Sequence, residues 1–319
     1  MIQHHTIGID IGGTKIAVGV VDGHGQVRLR RATDPDDPDA IESAVTALVR
    51  ELRTGFPVHA AGVAAAGLVR TDRSTVHFAP NIAWREHPLG ERLATCLGMP
   101  VVVENDANAA GWAEFRYGAA HGLDPMLMLT IGTGLGGALI VNSNLVRGHG
   151  GIAAEFGHLT TVPGGHPCGC GNRGCWEQYA SGRALTHRAR LAASAQPHRA
   201  ATLLELAGGE PAAIVGPHIT IAATAGDPLA LDLLTELGRW IGSGAANLVK
   251  TLDPAVIVIG GGVAAAGPLL INPVQAALNT ALATSPAVTA PPVVVAQMPD
   301  DAGIVGAADL ARTNPPGQH

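Results

Sequence analysis

Residues 6–21 read TIGIDIGGTKIAVGVV, two apolar, β-rich runs joined by a Gly-Gly-Thr turn. Glycines let the backbone reverse sharply at that point, so the pattern predicts a β-hairpin. Residues 127–141, LMLTIGTGLGGALIV, repeat it around a Gly-Thr-Gly turn. A repeated strand, glycine turn and strand implies two related lobes facing one another. Between and beyond the hairpins, strands alternate with helices. After a polar, proline-broken stretch at residues 34–39, Ile41, Val45, Leu48, Val49 and Leu52 recur at helical spacing, which predicts an amphipathic helix covering a sheet. Residues 58–69, VHAAGVAAAGLV, read as one buried strand, and residues 101–103 as another entered from Pro100. Asp227 and Pro228 supply an N-cap acid and a proline at the first helical position, and that helix is expected to reach about Lys250. AVIVIGGGV, residues 255–263, is an apolar strand breaking into Gly260, Gly261 and Gly262, and residues 301–311 form a closing helix. This order belongs to an α/β protein. The lobe boundary falls near residues 117–124, and the tail after Asn314 is expected to fray.

A chain of 319 residues with a hydrophobic fraction of 47% can build two domains, each with its own core. The net charge of −6 is spread over interspersed acids and bases. No basic stripe points to nucleic acid and no polybasic segment to a membrane. MIQHHTIGID lacks a charged segment followed by a long apolar one, and no stretch reaches transmembrane length. The expectation is a cytoplasmic protein acting on small molecules.

Residues 155–177, EFGHLTTVPGGHPCGCGNRGCWE, hold three of the four cysteines, two histidines and two glutamates. Cysteines crowded in this way cannot make a spread disulfide framework, and in a reducing compartment they read as a metal site. Cys168, Cys170 and Cys175 need one more ligand to close a tetrahedral zinc site. His158 is the natural fourth, with His166 as the alternative; loop cysteines without metal are the plain reading. Cys96 stands alone in a helix-like stretch and is expected to be inert.

Backbone N–H groups at glycine turns form concave donors for phosphate oxygens. Two such turns occur, at Gly12-Gly13-Thr14 and at Gly132-Thr133-Gly134. Asp10 before the first can hold Mg²⁺ directly or through water, and Lys15 after it can neutralise a phosphate. Neither turn is a Walker loop or a dinucleotide fingerprint leading into a helix. Glu104, Asn105 and Asp106 follow the strand VVV, at the mouth of a sheet where ligands bind. They either cap the next helix or present a carboxylate that accepts a proton from an attacking hydroxyl. Glu155 and Glu177 bracket the cysteines and suit a polyol, or are solvated surface acids.

Taken together, these residues resemble the ROK family of bacterial sugar kinases and sugar-responsive repressors. The resemblance runs from DIGGTK to GIVGAADLA in the family's order, and the cysteine knuckle with its upstream EFGH is its most specific part. Within the family, VAAAG, PNIAW, VVVENDANAA and GNRGCWEQYASG are most similar to glucokinases of actinobacterial type. The resemblance implies a two-lobed actin-like, sugar-kinase ATPase fold, made of ribonuclease H-like duplicated α/β domains with an inserted zinc-binding loop. A small N-terminal α/β lobe would span residues 1–118, joined by the C-terminal helix at about 301–312. A large lobe at 119–300 would carry the zinc knuckle.

The implied activity is ATP-dependent phosphorylation of glucose at its 6-hydroxyl. Asp106 matches the family's catalytic base. Asn105, Asn81, Glu155, His158 and Glu177 match positions that bind sugar hydroxyls, and Gly67 would approach the sugar through its backbone. Asp10, Gly12, Gly13, Thr14 and Lys15 match the first phosphate segment, Thr133 and Gly134 the second, and Gly261 and Gly262 the segment beside the adenosine. His158, Cys168, Cys170 and Cys175 match the ligands of a structural zinc. The implied donor is ATP with Mg²⁺, inorganic polyphosphate remaining open, and the implied assembly is a homodimer or homotetramer.

Three positions depart from the family pattern. Ala154 stands where G-x-A-G-E-x-G-H has glycine, Ala138 follows Gly137 where a third glycine is frequent, and Asn142-Ser143-Asn144 replaces a hairpin often closed by Asp-Gly. None removes a functional group. A kinase for N-acetylmannosamine, fructose or allose is the rival reading. A sugar-responsive repressor would need a DNA-binding module, and only nine residues precede Asp10.

Overall fold

The computed structural model describes residues 5–12, 15–33, 40–80, 82–284 and 287–313. Gly13, Thr14, Asn81, the stretch 34–39 and the tail after residue 313 therefore lie outside the described residues. β1 (His5–Ile11) and β2 (Ile16–Val21) form the first hairpin, with Ile11 opposite Ile16. Their near-continuous burial means that both faces of the sheet are covered. β3 (Val27–Thr33) continues the antiparallel side. α1 (Ile41–Arg53) buries Ile41, Val45, Val49 and Leu52 of the predicted stripe, with Leu48 partly buried against the same core.

β4 (Val58–Ala65) lies parallel to β1. The apolar run expected as one strand to residue 69 is cut here: β5 (Leu68–Val69) joins a separate three-stranded sheet with β6 (Val76–Phe78) and β7 (Arg85–His87). Gly67 makes the break, because a Cβ there would lie 2.6 Å from the carbonyl oxygen of Phe78. Only a glycine lets the chain press its backbone onto β6 at that point. α2 (Leu89–Leu97) leads into β8 (Val101–Asn105), parallel to β4, and α3 (Asp106–Tyr117) begins at once. The sheet order is β3-β2-β1-β4-β8.

The second half opens on β9 (Met126–Ile131), the glycine turn, β10 (Leu135–Val141) and β11 (Asn144–Leu145). Val141 pairs with Asn144, and the two loop residues between them, Asn142 and Ser143, have φ of 52° and 57°. Both being positive is what a two-residue hairpin loop of right-handed twist needs, so this pair serves where Asp-Gly is usual. The cysteine-bearing stretch follows with little regular structure, then α4 (Gly182–Ala195), α5 (Ala201–Leu206), α6 (Gly216–Thr224) and α7 (Pro228–Leu252). Asp227 caps α7, accepting the N–H of Ala230 at 2.9 Å. β12 (Val256–Gly260) lies parallel to β9, α8 (Pro268–Leu282) packs on α7, and β13 (Val293–Val295) lies parallel to β12. The parallel set β9-β12-β13 thus restates β1-β4-β8, each opening on a strand that runs into a glycine turn.

α9 (Ala302–Thr313) belongs with the first sheet. A Cβ on Gly8 or Gly62 would run into the carbonyl oxygens of Ile304 and Ala307, so glycines on the strands allow the helix backbone to lie directly on them. The chain divides into two compact units, one of Met1–Gly122, Ala138–Ala154 and Gln297–His319, the other of Leu123–Gly137 and Glu155–Ala296. Among the described residues no helix is long and apolar enough to cross a membrane.

Candidate active site

In the first unit, β8 ends at Asn105, whose extended backbone makes it the N-cap of α3. Its Oδ1 accepts the N–H of Asn108 at 3.0 Å, while Nδ2 donates to the Gly67 carbonyl and to Asp106 Oδ1, both at 3.1 Å. The Ala107 N–H also donates to Asp106 Oδ1, at 2.9 Å. These bonds converge on one oxygen and leave Oδ2 to take a proton. Asp106 keeps an exposed edge, yet protein surrounds it closely. The resulting desolvation pushes its carboxyl above the ordinary aspartate range, against the pull of the Ala107 and Asn105 hydrogen bonds. Asn105, Asp106 and Gly67 are therefore brought together; the capping alternative for the 104–106 segment holds through Asn105, and Asp106 keeps an exposed carboxylate beside it.

Asp10, at the end of β1, is pushed up to about 6 from 3.8, first by burial and then by the charge of Asp106, with Arg30 pulling the other way. Gly303, in the first turn of α9, has room for Asp10 only because it lacks a Cβ, which would sit 2.8 Å from Oδ2. The positive end of that helix favours a carboxylate there. In the first glycine turn Gly12 N–H donates to the Lys15 carbonyl at 2.9 Å, and Lys15 is exposed. Behind Asp106, Glu104 is only 3% exposed. Its Oε2 accepts Arg147 Nε at 2.7 Å and its Oε1 accepts Asn108 Nδ2 at 3.1 Å, so an ion pair ties the segment after β11 to the strand that leads into Asp106.

In the second unit, the ligand atoms of His158, Cys168, Cys170 and Cys175 all lie within 4.8 Å of one another. The Cys170 and Cys175 sulfurs are 3.7 Å apart, and Cys168 Sγ is 3.6 Å from His158 Nδ1. Tetrahedral zinc with Zn–S bonds of about 2.3 Å holds its sulfurs about 3.8 Å apart, so the set fits that ion. His166 is outside the cluster. Its backbone N–H donates to Tyr179 Oη at 3.0 Å and its ring packs on that tyrosine, 5.2 Å between centroids. Trp176 anchors the knuckle, fully buried against Gly244 of α7 with its indole N–H on the Trp240 carbonyl at 2.9 Å.

Glu155 precedes the short 3-10 turn Phe156–His158, its carbonyl accepting the His158 N–H at 3.1 Å. Glu177 accepts from Cys168 Sγ and from Gln178 Nε2, both at 3.1 Å. Its other oxygen lies against Gly134, 2.8 Å from where a Cβ would stand. Glu177 thus joins the knuckle to the second glycine turn. In that turn Gly132 N–H donates to the Gly134 carbonyl at 3.0 Å, and Gly182 N–H donates to the Gly132 carbonyl at 2.8 Å. Gly261, with φ of 82°, packs on the end of β9, where a Cβ would meet the Ile131 carbonyl oxygen at 2.6 Å. Thr133 and Gly262 line a cavity of about 1150 Å³. Its other walls come from α4, from α6 and from His166, and Leu191, Val215 and Ile221 give it an exposed apolar face. Apolar walls beside a glycine turn suit a flat base attached to phosphates.

Residues 6–314 match the ROK family. The chain belongs to the ROK family. This ROK chain is 48% identical over 312 residues to a glucokinase of Streptomyces coelicolor, covering 98% of each. It is also similar to the crystal structure of a ROK family glucokinase from Streptomyces griseus in complex with glucose and AMPPNP, with a TM-score of 0.90 and 48% identity over 97% of this chain and 100% of that one. An N-acetylmannosamine kinase of Escherichia coli is 36% identical over 315 residues, 96% of this chain and 98% of that one. The mixed α/β fold is that of ROK sugar kinases.

Several residues of this ROK chain's sites carry no local signal. Arg147 follows a hairpin and reads as a solvated charge. The arginines of α4 read as the polar face of an amphipathic helix. The cavity they border exists only once α4, α6 and the glycine turn are assembled.

Proposed function

We propose that this chain transfers the γ-phosphoryl group of ATP to the 6-hydroxyl of glucose, giving glucose 6-phosphate. The observation that carries the reading is the near-full-length similarity to the glucose- and AMPPNP-bound Streptomyces enzyme. The residue roles are our inference. Asp106 Oδ2 takes the proton from O6, the O6–Pγ bond forms as the bond from Pγ to the β,γ-bridging oxygen breaks, and ADP leaves with that oxygen. A raised Asp106 pKa makes the carboxylate a better proton acceptor and makes turnover fall as pH drops through that pKa. Asn105, Asn81, Glu155, His158, Glu177 and the Gly67 backbone hold the sugar. The backbone at Thr133 and Gly134, with Gly12, Gly13, Thr14 and Lys15, holds the phosphates, and Gly261 and Gly262 border the adenosine.

Mg²⁺, when bound beside Asp10, supplies neutralising charge to the donor phosphates. Zinc, when bound by His158, Cys168, Cys170 and Cys175, has no open coordination position and supplies a structural crosslink. His158 engages that cluster through Nδ1 and so keeps Nε2–H to donate to a sugar oxygen. The lobes are taken as residues 1–118 with about 301–312, and 119–300. Light scattering checks the homodimer or homotetramer expected for the family.

A coupled assay with purified protein, crossing a panel of hexoses with ATP and polyphosphate, tests the reading. Glucose with ATP should give the highest kcat/KM. Preference for N-acetylmannosamine, the substrate named for the E. coli relative, would replace glucose with that sugar.

A further inference from the structure

The donor cavity is lined by Arg183, Arg188, Arg190, His166 and His187, and no acid is among its lining residues. Two of the three arginines have internal partners. Arg188 donates to the Tyr179 carbonyl at 3.0 Å and pairs with Glu236 at 3.2 Å, and Arg190 donates to the Ile214 carbonyl at 3.0 Å. The Arg183 guanidinium is exposed and, among the described residues, makes no hydrogen bond or ion pair. Its backbone, by contrast, is pinned beside the glycine turn, its N–H directed at the Thr133 carbonyl at 3.4 Å.

The first turn of α4 would ordinarily offer its N–H groups to an anion. Here they are taken: Gly182 N–H by the Gly132 carbonyl, Arg183 N–H by the Thr133 carbonyl, and Ala184 N–H by Ser181 Oγ at 3.2 Å. Positive charge at this end of the cavity must therefore come from a side chain. A cation in the first helical turn is also unfavourable toward the helix dipole, so Arg183 sits where helix stability alone would not put it. Its planar fork suits two phosphate oxygens at once.

We propose that Arg183 binds the phosphoanhydride chain of the donor, next to the Gly132-Thr133-Gly134 turn. This rests on the kinase reading above and adds to it a side-chain contact that fixes the donor. The test compares wild type, Arg183→Gln and Arg183→Lys by calorimetric titration with ATP and with adenosine, alongside the KM for glucose. Loss of a charge-assisted hydrogen bond should weaken ATP binding roughly 10- to 100-fold in Arg183→Gln. Adenosine affinity and the glucose KM should stay at wild-type values, and Arg183→Lys should recover part of the loss. Unchanged ATP affinity in Arg183→Gln overturns the proposal, as does an equal loss for adenosine, which would put the side chain on the nucleoside. Wild-type protein that binds no ATP at all would overturn the kinase reading itself.

Discussion

The corner around Asp106 and the knuckle around Cys168 acquire their geometry from opposite sources. Asp106 stands where a buried parallel strand meets a capped helix; Asn105 and the Ala107 N–H orient it, and Asn105 is in turn held by the Gly67 carbonyl. The knuckle has little regular structure: two isolated β-bridges, Thr160 with Cys175 and Pro167 with Arg173, turn hydrogen bonds such as Cys168 N–H to the Asn172 carbonyl, and a large anchor in Trp176. Three thiols and an imidazole converge there, with Cys168 and Cys175 buried and Cys170 exposed, on a segment held by turns rather than by a sheet. In the proposed reading, the proton acceptor is built on the core, while recognition of the sugar is built on a loop that a metal can brace.

The largest effect should come from Asp106→Asn. Removing the proposed base should lower kcat by roughly 10² to 10⁴ while glucose still binds, as steady-state kinetics and calorimetry would show. Near-normal turnover would remove Asp106 from the chemistry and with it the first half of the comparison. Next is Asp10. Its folded-state pKa is raised to about 6, so the folded protein holds that proton more tightly than the unfolded chain does. The ionised carboxylate therefore costs stability that grows as pH rises from about 4 to 6 and is constant above, at most about 3 kcal/mol. Asp10→Asn should be more stable than wild type at pH 8 in the absence of Mg²⁺, and the difference should vanish below pH 4. A gain that persists in acid would mean that the charge is not its cause. The smallest effect concerns Ala154, which directly precedes Glu155 and holds a φ of 68°. Ala154→Gly should relieve about 1 kcal/mol of left-handed strain, read as a small rise in the unfolding midpoint. A fall would show that the buried methyl contributes more by packing than it costs in strain.

Much of this was legible in local chemistry. Glycine turns after apolar strands predicted both hairpins, Asp227 and Pro228 marked the start of α7, and Asn105-Asp106 after VVV marked a strand mouth. Cysteine spacing predicted the metal cluster, though only the folded chain separates His158 from His166, because the choice depends on how the loop closes around Tyr179. Other features depend on contacts between distant residues. Nothing within VHAAGVAAAGLV shows that the strand must stop at Ala65, since the break comes from Phe78 lying against Gly67. Arg147 gains its meaning only beside Glu104, 43 residues earlier, and Arg183 only beside Thr133.

Amide hydrogen exchange with and without a zinc chelator tests the division most directly. On metal removal the protected N–H groups of Cys168, Gly174 and Trp176 should exchange rapidly and glucose affinity should fall. Those of β1, β4, β8 and α3 should keep their protection. Knuckle amides that stay protected without metal, or an equal loss of protection around Asp106, would contradict it.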